Sequence, residues 1–83
     1  MELTLDSIIE LLEEVREDID YRTCATLIDD AVLDSFDTIQ IISTLNEEFG
    51  ISIPAREIKP ANFNSAQSIL ELVRRTRGAA TQA

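Results

Sequence analysis

Apolar residues in this chain return at steps of three and four, and that spacing limits its fold more than any other feature. At about 100° per residue, Leu5, Ile8, Ile9, Leu12, Val15 and Ile19 share one side of a helix. Asp6, Glu10, Glu13, Glu14 and Glu17 take the other side. A second stripe joins Thr38, Ile41, Ile42, Leu45 and Phe49, and a third joins Ala66, Ile69, Leu70 and Val73. Only two Gly and two Pro occur in 83 residues, which argues against a turn-rich β fold. Aromatics make up 5 % and Trp is absent, so the core has to be built from Ile, Leu and Val. A chain of this length supports one small domain.

Boundary signals frame these stripes. Thr4 or Asp6 can start the first helix, which should fray at Asp18-Ile19-Asp20. From about 18 to 34 no period persists, yet Leu27, Ile28, Val32 and Leu33 supply apolar anchors for an ordered loop. Tyr21 should anchor the same segment. Unstructured loops of that length are uncommon and tend to be functional. The second helix should run from about Ser35 to Phe49, with Asp34 as N-cap, Asp37 completing an acidic capping box, and Gly50 in the C′ position. Pro54 opens a short element near Ala55–Lys59 that Pro60 stops, and Asn64 or Ser65 caps the last helix. Arg74, Arg75 and Arg77 then fall at its C-terminus, where the macrodipole favours cations. The expected fold is all-α: a small four-helix bundle, three helices long and one short, with a long loop between the first two. Residues 1–77 form the domain and 78–83 a disordered tail.

Charge narrows the partners. The net charge of −9 repels nucleic acid and anionic lipid and favours a partner with a basic surface. Fourteen acids face only Arg16 and Arg22 in residues 1–50. Residues 51–83 carry Glu57 and Glu71 against Arg56, Lys59, Arg74, Arg75 and Arg77. Cys24 is the lone cysteine, a small hydrophobe that fits a reducing compartment. No apolar run reaches transmembrane length and the N-terminus lacks a basic-then-apolar signal, so a monomeric cytoplasmic protein is expected, with no membrane insertion.

The run Leu33-Asp34-Ser35-Phe36-Asp37-Thr38-Ile39 carries the chemistry. There a serine stands where the long loop meets the second helix. As a bare helix start this is ordinary, since Ser is common in such places. A phosphate ester on Ser35 would also be favoured there by about 0.3–1 kcal/mol, through unpaired N–H groups and the positive dipole end. Phe36 and Ile39 lie off the core stripe beside Gln40, Ser43 and Glu47, rimmed by Asp34, Asp37 and Glu47. They suggest a docking surface one turn from the serine, unless Phe36 folds back under the loop as a staple.

The same run, followed by Glu47-Glu48-Phe49-Gly50-Ile51-Ser52-Ile53-Pro54, resembles the carrier proteins that bear 4′-phosphopantetheine. The similarity extends from the first helix to about Val73. Leu33-Asp34-Ser35-Phe36, and Ile53-Pro54 through Asn62-Phe63-Asn64-Ser65, are more similar to D-alanyl carriers than to fatty-acid carriers. Two departures stand out: Ala31 replaces a common Gly, and Gln40 replaces the Glu usual in fatty-acid carriers. The resemblance implies that a phosphopantetheinyl transferase adds the arm from coenzyme A to Ser35, with Asp34 helping to present it. It implies an acyl or aminoacyl thioester on the arm's thiol, loaded by an adenylating ligase or acyltransferase and delivered to downstream synthases or transferases. Phe36, Asp37, Ile39, Gln40, Ser43, Glu47 and Glu48 would meet those partners, whose surfaces should be basic.

Two other classes compete. An acidic helical adaptor would use the second helix without covalent modification. An enzyme is disfavoured, since the chain has no His, no Gly-rich phosphate loop and no metal-spaced ligands, and neither catalytic nor metal residues are expected. The acid pairs Glu13-Glu14 and Glu47-Glu48 read as solvated helix faces, and Asp29-Asp30 as solvated loop acids.

Overall fold

The computed structural model describes residues 2–82, with side chains described through Gly78. Helix α1 spans Leu5–Val15, α2 spans Ser35–Phe49, α3 is a single turn over Pro60–Phe63, and α4 spans Ala66–Gln82. A 3₁₀ turn at Ala55–Glu57 precedes α3, and the described residues contain no strand. Helix α1 packs against both α2 and α4, and α3 packs on α4. Their apolar stripes meet in one core holding Ile8, Leu12, Leu27, Ile41, Leu45, Phe63, Ile69, Leu72 and Val73, all nearly or fully out of water. Each such side chain contributes roughly 1.5–3 kcal/mol of burial.

Local chemistry sets the helix ends. Thr4 caps α1 through a mutual pair of bonds with Ser7. Gly50 closes α2 in the left-handed region, φ 61°, which a Cβ would strain. Ser65, rather than Asn64, takes the cap of α4: its Oγ accepts from the Ser68 amide at 3.1 Å.

Three boundaries depart from the sequence expectation. Helix α1 stops at Val15, short of Asp18, because Arg16 turns extended and its carbonyl is taken by the Tyr21 hydroxyl at 2.6 Å. Ile19 still packs on the core from outside the helix. Pro60 begins α3 instead of ending a helix. Its locked φ suits a first helical residue, where the missing N–H costs nothing. Helix α4 continues through Gly78 to Gln82, across the segment expected as a tail; Ala83 lies outside the described residues. Arg74, Arg75 and Arg77 are therefore not in its last turn, and the dipole role expected of them does not apply. Arg75 instead reaches Glu57 at 3.7 Å and the Asn62 side chain at 3.4 Å.

The long loop is ordered by one of its own side chains and by one from beyond α3. Tyr21 is 3 % exposed, and its hydroxyl donates toward the carbonyls of Arg16 and Leu12. Burial pushes its pKa up to about 12. Asn64 clamps the far end: its Oδ1 accepts the amides of Ile28 and Asp29, both at 3.0 Å, and its carbonyl accepts the Leu27 amide at 2.9 Å. Its Nδ2 donates to Asp29 at 3.1 Å. With Leu27 and Leu33 buried, the loop lies pinned across the end of the bundle and delivers the chain to Asp34.

Candidate functional site

The start of α2 is organised by carboxylates, not by the serine. Asp34 is the N-cap, its Oδ1 accepting from the Asp37 amide at 2.8 Å, while Asp37 Oδ2 receives the Asp34 amide at 3.4 Å. Asp37 also accepts a bond from Arg16 Nη1 at 2.8 Å. The same guanidinium grips Asp18, holding that carboxyl below its ordinary range through their hydrogen bond. Arg16 in turn is held charged by Asp18 first and Asp37 second. The end of α1 and the start of α2 are thus tied by one cation.

Ser35 is left over from this arrangement. It is the first residue of α2 and exposed, and its hydroxyl is bonded by none of the described residues. The capping role that would explain a serine here belongs to Asp34. First-turn N–H groups have no intrahelical partner, so the hydroxyl stands beside a locally positive backbone. That surrounding suits a phosphodiester: an outward nucleophile, unpaired donors nearby, and no side chain sealing it.

Beside Ser35 opens a cleft of about 520 Å³ between α2, the long loop and the segment leading into α3. Thr38, Ile39 and Ile42 continue the α2 wall below Ser35. Ile28, Ala31 and Leu33 come from the loop, Ile58 and Lys59 from the segment leading into α3, and Pro60 and Phe63 from α3 itself. Its lining is mostly apolar, with Asp34 and Lys59 as the two charged residues. Ala31 sits at φ 55°, the left-handed region that glycine adopts at little cost.

Phe36 and Ile39 are 66 % and 64 % exposed, so Phe36 does not fold back as a staple. Gln40, Ser43 and Glu47 are exposed as well. Their spacing from Phe36 (three, four, seven and eleven residues) places all five on one face of α2. Glu48 is exposed but lies about 120° around the helix from Phe36. Asp37 does not belong with them. At 8 % exposure and bonded to Arg16, it is an internal group, and its expected contact with a partner is corrected. The pairing escaped the sequence because 21 residues separate the two.

Three contributors were not legible at all. Ile58, 44 % exposed, and Lys59 reach the cleft from a segment that reads only as a short helix. Asn64 reads as a cap and serves as a clamp. An apolar-basic pair directly before a proline was the available signal, but no local period connects it to Ser35. Asp29 and Asp30 are engaged by Asn64 and Thr26. Among the described residues no group of three or more His, Cys, Asp or Glu could hold a metal ion, and no helix is long and apolar enough to cross a membrane.

Comparison with known proteins identifies the family. Residues 2–75 match the family model described as "Phosphopantetheine attachment site". The D-alanyl carrier protein of Streptococcus sanguinis is 36 % identical over 73 residues, covering 87 % of this chain and 92 % of the relative. That of Streptococcus gordonii is 34 % identical over the same shares. That of Lactobacillus delbrueckii subsp. bulgaricus is 29 % identical over 69 residues, 82 % of this chain and 86 % of the relative. No solved structure gives a significant match.

Proposed function

The chain belongs to the phosphopantetheine attachment site family of carrier proteins, and on that premise we propose that Ser35 is the residue that carries the arm. The family's members are non-catalytic substrates of a phosphopantetheinyl transferase and of loading enzymes, and they hold acyl or aminoacyl groups as thioesters. The observation that supports Ser35 is the division of labour at the start of α2. Asp34 satisfies the helix, so the neighbouring hydroxyl stays exposed and unengaged.

In the transfer, Ser35 Oγ passes its proton to a base of the transferase and bonds to the pantetheine-bearing phosphorus of coenzyme A. The bond from that phosphorus to the bridging pyrophosphate oxygen breaks, and adenosine 3′,5′-bisphosphate leaves. Asp34 holds the backbone in place and presents a carboxylate beside the reacting oxygen. Once bound, the arm supplies a thiol on which cargo is held as a thioester. The chain's own part is to expose one hydroxyl, keep its surroundings rigid, and offer a surface that partners read.

Phe36, Ile39, Gln40, Ser43 and Glu47 supply that surface, with Glu48 beside it. Apolar contact comes from the first two and charge from the acids, which mainly set on-rate and partner choice. A basic patch on the transferase, on an adenylating ligase or acyltransferase, and on the enzyme that receives the cargo would complement it. Residues 1–77 suffice as the carrier unit, acting as a monomer in the cytoplasm, where coenzyme A is made. The cargo is an aminoacyl group, and D-alanine is the first to test, given what the similar streptococcal proteins are named for.

Incubation with coenzyme A and a broad-specificity transferase should add one phosphopantetheine mass to the wild type and none to Ser35→Ala. Addition to Ser35→Ala would refute the assignment. An adaptor that works unmodified would gain no mass in either form.

A further inference from the structure

The cleft beside Ser35 contains one cation, and its side chain has no other work in the fold. We propose that Lys59 holds the phosphodiester of the arm and turns the arm away from the acidic face of α1, into the cleft. This rests on Ser35 being the attachment site.

The charge problem comes first. The ester at Ser35 adds a negative charge next to the exposed carboxylate of Asp34, on a molecule already at −9. The start of α2 offers favourable partial charges but nothing that gives the phosphate a direction. The cations near that end of the bundle are engaged: Arg16 with Asp18 and Asp37, and Arg22 with Asp6 at 2.6 Å. Arg75 pairs with Glu57, and Arg56 lines a different depression with Ser52 and Pro54.

Lys59 differs from all of them. Its backbone is fixed, its amide donating to the Glu57 carbonyl and its carbonyl accepting from the Asn62 amide, both at 3.0 Å. Pro60 follows and holds the approach extended, φ −144° and ψ 156°. The ammonium itself is exposed and bonded by none of the described residues. Lys59 lines the same cleft as Ser35, and Ile58 and Ile39 supply apolar surface there against which a methylene stem can lie. A lysine binds phosphate as a mobile point charge, which suits an ester whose arm must still swing out to partners. An exposed pair of this kind contributes little to stability and acts by biasing direction.

The test compares apo and holo forms of the wild type, Lys59→Gln and Lys59→Arg, with labelled nitrogen and natural phosphorus. In the wild type, conversion to holo should shift the Ile58 and Lys59 amides and the Lys59 side-chain nitrogen, and these shifts should collapse at high salt. The phosphorus resonance should move between low and high salt in the wild type and in Lys59→Arg, and stay still in Lys59→Gln. Holo protein whose Ile58 and Lys59 signals match apo, with a phosphorus resonance indifferent to Lys59→Gln, would overturn the role of Lys59 while leaving Ser35 standing. Absence of any mass gain in the wild type would instead remove the attachment site and this proposal with it.

Discussion

At the residue scale, Ala31 and Tyr21 are placed under opposite constraints. Ala31 holds φ 55°, where a Cβ costs roughly 1–2 kcal/mol, partly offset because alanine restricts the unfolded chain more than glycine does. Ala31→Gly should therefore stabilise the protein by up to about 1 kcal/mol, read as a raised urea midpoint at unchanged slope. A lowered midpoint would mean that the loop relaxes without strain. Tyr21 is buried neutral, and its folded pKa of about 12 lies above the ordinary 10.0. Between those values the unfolded chain loses the phenolic proton while the folded chain keeps it, so stability present below pH 10 must fall as pH rises toward 12. Tyr21→Phe should be weaker at neutral pH by about 1 kcal/mol for the lost hydrogen bond. It should also show a shallower alkaline decline, measured as denaturant midpoint against pH. An equally steep decline in Tyr21→Phe would assign the alkaline loss to other groups.

At the element scale, loop and helices are joined by single side chains. Asn64 connects the junction of α3 and α4 to the loop through four bonds. Asn64→Ala should cost about 2 kcal/mol, since the bonds lost are partly replaced by water. The sharper readout is hydrogen exchange: the Ile28 and Asp29 amides should exchange faster, with amides in α1 little changed. Unaltered exchange at those two positions would show that burial of Leu27 and Leu33 alone holds the loop. Much of this scale was legible beforehand. The apolar stripes, the acidic capping box and Gly50 were local signals acting within one or two turns. The end of α1 and the start of α3 were not, because Arg16 and Lys59 took partners or positions that no spacing rule reaches.

At the scale of the whole molecule, charge is segregated: residues 1–50 carry fourteen acids and two bases, residues 51–83 two acids and five bases. On the proposed reading, this asymmetry draws a basic partner toward α2, where Phe36 and Ile39 are exposed. Reversing Glu47→Lys and Glu48→Lys together should slow association with a phosphopantetheinyl transferase by about tenfold at low salt and flatten its salt dependence. Folding stability should be unchanged. Equal slowing by reversal of Glu10 and Glu13, on the exposed face of α1, would show that total charge matters and not the α2 surface.

What the chain determined unaided was its helical class, the cap of α2, the exposed pair beside Ser35 and the family resemblance. All of these depend on residues close in sequence, where periodicity and capping chemistry act. Tertiary structure alone decided that Asp37 turns inward to Arg16, that Asn64 fastens a loop 35 residues away, and that Lys59 faces the cleft Ser35 lines. Packing brings those groups together, and a buried or shared charge commits to whichever partner the fold supplies.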